Sequence, residues 1–236
     1  SEFALNVTVV SNVIIVDTTA DENDGDTSSI AALLATPGGT GISLREAIIA
    51  ANNTANGGSP DEIRFNIAGA GVQTIVPTSV LPTIADAVII DGLTQSGATA
   101  GTLVSGSQHT LLIELDGTSA GVVAAGFDVR ADNSIIRGLI LNNWTGLGNQ
   151  AIQVVGADSV TIESNYIGTN AAGTVAAGNE GGVILEGSAN SIVRNNLISG
   201  NVNNGVTIRL GVSTGNVVAG NLIGVDASGT AAIGNL

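Results

Sequence analysis

Asn190-Ser191-Ile192-Val193-Arg194-Asn195-Asn196-Leu197-Ile198 repeats, 57 residues on, the stretch Asn133-Ser134-Ile135-Ile136-Arg137-Gly138-Leu139-Ile140-Leu141, and a related segment, Val160 to Ile167, lies between them. Two turns of a repeat separate the outer copies. Adding Val217 to Ile223 aligns Ile136, Ile162, Val193 and Val218 in one column, at intervals of 26, 31 and 25 residues. Self-similarity at such a period marks stacked architectures. A second family of short segments alternates with the first: Ile152-Gln153-Val154, Val183-Ile184-Leu185 and Val206-Thr207-Ile208, preceded in the chain by Phe127-Asp128-Val129. Side chains alternate between the two faces of a strand. Phe127 and Val129, Ile152 and Val154, Val183 and Leu185, and Val206 and Ile208 are therefore expected to point inward.

Working outward, Val88-Ile89-Ile90-Asp91-Gly92 and Ile113-Glu114-Leu115-Asp116-Gly117 match at a spacing of 25 and are read as neighbouring coils. Downstream, Gly168 to Asn179 recurs as Gly224 to Asn235, while the coil between them has only the shorter Ser199 to Asn204. Loops lengthen cheaply when strands stay stacked. Asn165, Asn196 and Asn221 share one corner, where Asn tolerates a left-handed backbone and can bond the next coil, so an Asn ladder is expected. The same register places Arg137, Glu163 and Arg194 in one outward column and Glu186 beside Arg209. An antiparallel sandwich would also have short strands and Gly-rich turns, but not in-register recurrence of whole 25-residue units. The expected fold is all-β, a right-handed parallel β-helix, or solenoid.

Ser43-Leu44-Arg45-Glu46 has the form of a capping box, and Leu44, Ala47, Ile48 and Ala51 then fall on one helical face. A short N-terminal capping α-helix near residues 43–53 is expected to cover the first coil; a weaker helical stretch runs from Ile30 to Leu34. Residues 1–72 are read as the capping region and 73–236 as coils, truncated at the C-terminus because Gly224 to Asn235 is followed by no counterpart of Gly182-Val183-Ile184-Leu185. An open last coil favours end-to-end self-association. Ser1-Glu2-Phe3 is set aside as a cloning scar.

Composition narrows the function classes. The 236 residues are 44% apolar and 11% charged, with 33 Gly, roughly twice the usual share of about 7%. Six Arg and no Lys against 20 acidic residues give a net charge of -14, which repels phosphate backbones and argues against nucleic acid. No apolar run of about 18 residues is present, and residues 1–20 have no signal-peptide pattern, so membrane insertion is not expected. The absence of Cys, Met and Lys fits a secreted bacterial protein.

Thr19-Ala20-Asp21-Glu22-Asn23-Asp24-Gly25-Asp26 followed by Ile42-Ser43-Leu44-Arg45-Glu46-Ala47-Ile48 resembles the start of bacterial extracellular proteins with a CSLREA-type motif, with Ile42 at the usual Cys. Leu81-Pro82-Thr83-Ile84, Ile136-Arg137-Gly138-Leu139 and Gly220-Asn221-Leu222-Ile223-Gly224 are similar to the repeat units that follow that motif. The resemblance covers nearly the whole chain. It implies a secreted or cell-surface right-handed β-helix, often part of a much larger polypeptide, and brings no shared catalytic residues.

Candidate chemistry is sparse. Lyase chemistry of the pectate type needs a strong cationic base, yet Lys is absent and Arg is spread one per segment. Glycoside hydrolysis needs two facing carboxyl groups. The fallback set is Asp91, Glu114 and Asp116, with Asp91 and Asp116 on equivalent positions of adjacent coils and Glu114 and Asp116 facing out together; turn formation at Asp-Gly is the competing reading. His109, in Ser107-Gln108-His109-Thr110, reads as a solvated loop residue. Asp21, Asn23, Asp24 and Asp26 form the densest oxygen cluster and a candidate calcium site, although Gly25 comes one residue early for an EF-hand and position 32 is Ala. A solvated acidic loop is the alternative. No other cofactor is expected. Trp144 could stack on a sugar or cover its corner, and Tyr166, aligned with Ile140, Leu197 and Leu222, is a packing residue. Outward columns such as Asp128, Gln153, Ile184 and Thr207 are too mixed for ice binding. The expected role is a structural or adhesive module of a secreted or cell-surface protein, contacting extracellular polysaccharide or protein; the alternative is a polysaccharide-binding or polysaccharide-cleaving β-helix.

Overall fold

The computed structural model describes residues 12–236, so Ser1-Glu2-Phe3 lies outside the described residues. Three parallel sheets run the length of the molecule. Sheet A contains Val13–Val16, Asp61–Phe65, Val88–Asp91, Ile135–Arg137, Thr161–Glu163, Ile192–Arg194 and Val217–Ala219 in spatial order. Sheet B contains Gln73–Ile75, Ile113–Asp116, Leu139–Asn142, Tyr166–Ile167, Leu197–Ile198 and Leu222–Ile223. Sheet C contains Phe127–Val129, Gln150–Val155, Gly181–Glu186 and Val206–Arg209, and is extended by a parallel bridge from Ile84 to Val129. From residue 61 on the chain visits A, B and C in turn, which is a parallel β-helix.

The expected columns are present. Ile14, Ile63, Ile90, Ile136, Ile162 and Val193 are register partners in sheet A, and all six are fully buried. Phe127, Ile152, Val183 and Val206 align likewise in sheet C. Full burial of one such side chain stabilises by about 1.5 to 3 kcal/mol, and apolar residues stacked coil over coil make one continuous core.

Sheets A and B meet at a sharp corner in which one residue takes a left-handed backbone: Gly138, Ser164, Asn195 and Gly220, with φ of 74°, 57°, 54° and 65°. The ladder Asn165, Asn196 and Asn221 sits one residue later, so its Asn residues are not the left-handed ones. They serve as connectors: Asn196 Oδ1 accepts from the backbone N–H and Nδ2 of Asn165, and Asn221 Oδ1 does the same for Asn196. A second ladder, Asn179, Asn201 and Asn235, joins the loops between sheets B and C.

At the N-terminal end, Ser29 caps helix α1 (Ile30–Ala35), and Ser43 with Glu46 forms the capping box of helix α2 (Leu44–Asn52). Leu44, Ala47, Ile48, Ala50 and Ala51 are buried in the solenoid core, as a plug requires. The motif's polar residues fasten the preceding loop: Glu46 Oε1 accepts from the N–H groups of Asp24 and Gly25, and Arg45 donates to Asp21 and to the carbonyls of Ser79 and Val80. Because Val13–Val16 and Asp61–Phe65 already belong to sheet A, the division drawn at 72/73 separates two parts of one stack.

At the other end, Val218 and Ile223 are exposed, although their register partners Val193 and Ile198 are fully buried.

One expected register is wrong. Val88–Asp91 lies in sheet A and Ile113–Asp116 in sheet B, so these segments are successive strands of a single coil. Their similarity encodes a shared turn: Asp91 caps the 3-10 turn Gly92–Thr94 and Asp116 caps Gly117–Ser119, each accepting from the N–H two residues on.

Candidate functional site

The carboxylates of the fallback set are dispersed by that register. Asp91 pairs with Arg137 across the coil, at 2.7 Å, on the outer face of sheet A. Glu114 and Asp116 lie two residues apart on sheet B, so they do share its outward side. Glu114 accepts from Thr74 Oγ1 at 2.7 Å and Asn142 Nδ2 at 2.8 Å, while Asp116 is engaged by the N–H and hydroxyl of Thr118. The Asp91/Asp116 dyad is therefore withdrawn.

The outward face of sheet A carries a continuous column of alternating charge. Arg64, Asp91, Arg137, Glu163 and Arg194 are register partners from coil to coil. Asp91 and Glu163 flank Arg137 at 2.7 and 3.6 Å, and Glu163 is 2.7 Å from Arg194. Arg64 also pairs with Glu62, and Arg209 with Glu186. Each rung is partly exposed and worth about 0.2 to 1 kcal/mol. From Asp91 to Arg194 the column thus joins coils and fixes register, its charges satisfied by one another.

The candidate calcium ligands are not brought together. Asp21 is held by Arg45 Nε and Nη2 at 2.9 Å each and by the N–H and hydroxyl of Thr78. Burial raises its pKa, but these bonds outweigh burial and keep the carboxyl below the usual Asp value. Asp24 accepts from Gly39 N–H and Asp26 from Ser28 N–H, while Asn23 is exposed. No three acidic or His side chains among the described residues gather as a metal-holding group.

Trp144 is fully buried, so it covers its corner from inside and has no face for a sugar. Its indole lies against Gly117, where an added Cβ would come within 2.4 Å of the ring.

His109 is also buried, contrary to the solvated-loop expectation. It belongs to residues 92–112, a long excursion between sheets A and B where the later coils turn in one or two residues. This excursion folds back over the outside of sheet B. Leu103 and Leu111 pack there with Ile140, Tyr166 and Leu197, an apolar cluster separate from the solenoid core. Tyr166 aligns with Ile140 and Leu197 as expected and is buried. An outward column of Ile, Tyr and Leu was the available signal that something covers it.

With the coil geometry in view, comparison with known families is decisive: a family model described as right handed beta helix region matches residues 85–235. The chain belongs to the right-handed β-helix family. No curated protein and no solved structure matches it. The match to the right-handed β-helix family covers the charge column from Asp91 to Arg194, both Asn ladders and the covering excursion. None of the described helices is long and apolar enough to cross a membrane.

Proposed function

We propose that this β-helix is a rigid structural or adhesive module of a large secreted or cell-surface protein. The carrying observation is how its outward polar groups are used: the column from Asp91 to Arg194 is paired from coil to coil, which stiffens the stack and sets its register. Its partners on this reading are extracellular polysaccharide or protein.

A second reading, a polysaccharide-binding or polysaccharide-cleaving β-helix, is favoured by one observation, the shared outward side of Glu114 and Asp116. A glycan-binding screen together with lyase and hydrolase assays discriminates the two. The scaffold reading expects no turnover; turnover of an acidic polysaccharide that disappears on Asp116→Ala would overturn it.

A further inference from the structure

The excursion at residues 92–112 contains 21 residues and one charged or titratable side chain, His109. It is fastened at its far side to Asn195, three coils along sheet A from its root. Asn195 Nδ2 donates to Gly101 O at 2.9 Å, Leu103 N–H donates to Asn195 Oδ1 at 3.2 Å, and His109 Nε2 lies 2.8 Å from Asn195 O. Gly101 N–H donates to His109 Nδ1 at 2.8 Å. Tyr166 closes the ring, its hydroxyl accepting from His109 N–H and donating to His109 O.

These contacts fix one tautomer. A carbonyl only accepts, so Nε2 carries the proton toward Asn195; Nδ1 accepts from Gly101 and must be bare. Adding a proton to Nδ1 sets two donors against each other inside a buried contact and leaves the Gly101 N–H without an acceptor. We propose that residues 92–112 form an acid-released flap, in which protonation of His109 at Nδ1 breaks the latch and uncovers the apolar column Ile140, Tyr166 and Leu197.

Neighbouring charges do not compensate. Tyr166 is the titratable group against the ring, and its pKa is raised by burial, so it stays neutral in acid. Arg194, next to Asn195, is paired with Glu163; Asp91, at the flap's root, is paired with Arg137; Glu114, at its far end, is bonded to Thr74 and Asn142. Burial lowers the His109 pKa more than the bond to Asn195 raises it. The sign follows: the closed flap is fully favoured above the ordinary His value of about 6.5, and the advantage is lost as pH falls from there toward the closed-state pKa. One proton limits the change to about tenfold in open population per pH unit.

The test is NMR on the whole chain, following the single His ring and amide protection factors in the flap from pH 8 to 5. Protection at Gly101 and Leu103 should fall as pH drops below about 6.5, by up to about tenfold per pH unit, while Ile162 and Val193 in the coils stay protected. His109→Gln should abolish this pH response. Gly101→Ala, whose Cβ would meet Ser107 O at 2.2 Å, should hold the flap open at pH 8 and reproduce the wild-type acid spectrum of Tyr166. The proposal is overturned if His109 titrates at or above its ordinary value, if flap protection is flat across this range, or if His109→Gln keeps the same pH response.

Discussion

Replacing Asn196 with Ala tests the corner ladder where water cannot substitute for it. Asn196 is fully buried. Its Oδ1 accepts from Asn165 N–H at 3.0 Å and Asn165 Nδ2 at 3.1 Å, and its Nδ2 donates to the carbonyls of Ile162 and Arg194 at 2.9 Å each. The Ala variant leaves the buried Asn165 N–H without this acceptor and strips one donor from each carbonyl. An orphaned buried N–H costs about 1 to 3 kcal/mol and a lost neutral hydrogen bond about 0.5 to 1.5, so the expected loss is about 2 to 4 kcal/mol. Asn221 makes the same bonds one coil on but is half-buried. Water can replace it, and Asn221→Ala should cost under about 1.5 kcal/mol. Urea melts followed by the single Trp144 read both, with an unchanged slope m marking a pure stability effect. A cost below about 1 kcal/mol at Asn196, or equal costs at the two sites, would refute the reasoning.

Leu44→Ala opens a cavity where α2 plugs the first coil and should cost about 2 to 5 kcal/mol; an unchanged melt would detach the helix from the core. Arg137→Ala removes the middle of the charge column and should cost about 1 kcal/mol, less in high salt, whereas the more exposed Arg209→Ala should fall near zero. Since Asp21 is bound by Arg45 and Thr78, chelator or added calcium should leave the melting temperature unchanged; a saturable rise would give the acidic loop a ligand role. The lowered Asp21 pKa makes its contribution complete above the unfolded value of about 3.9 and progressively lost as pH falls below it, so Arg45→Ala should flatten the acid limb of the stability profile.

Much of the fold was legible because the relevant signals are short or strictly repeated. The capping box is contained in Ser43 to Glu46, and the column through Ile136, Ile162 and Val193 follows from strand alternation plus a coil-length repeat. Asp91 and Asp116 misled because Asp-Gly encodes a local turn, and a turn can recur in any sheet of the coil. His109 was misread, and Trp144 left open between two roles, because their burial comes from tertiary contacts: His109 meets Asn195 across 86 residues of chain, a relation no local pattern carries. The second Asn ladder was obscured by unequal loops, since Asn179, Asn201 and Asn235 align only once the strands before them are stacked.

The central claim is the coil register, which turns two look-alike segments into successive strands of one turn and leaves the outer charges paired between coils. The chain has no Cys, so engineered pairs report without background. Oxidation of Asp91→Cys with Arg137→Cys should form a disulfide, because register partners on adjacent parallel strands lie about 4.7 to 4.9 Å apart, within bridging range. Asp91→Cys with Asp116→Cys should not, since these positions lie on different sheets. Efficient bridging of the second pair and failure of the first would contradict the account.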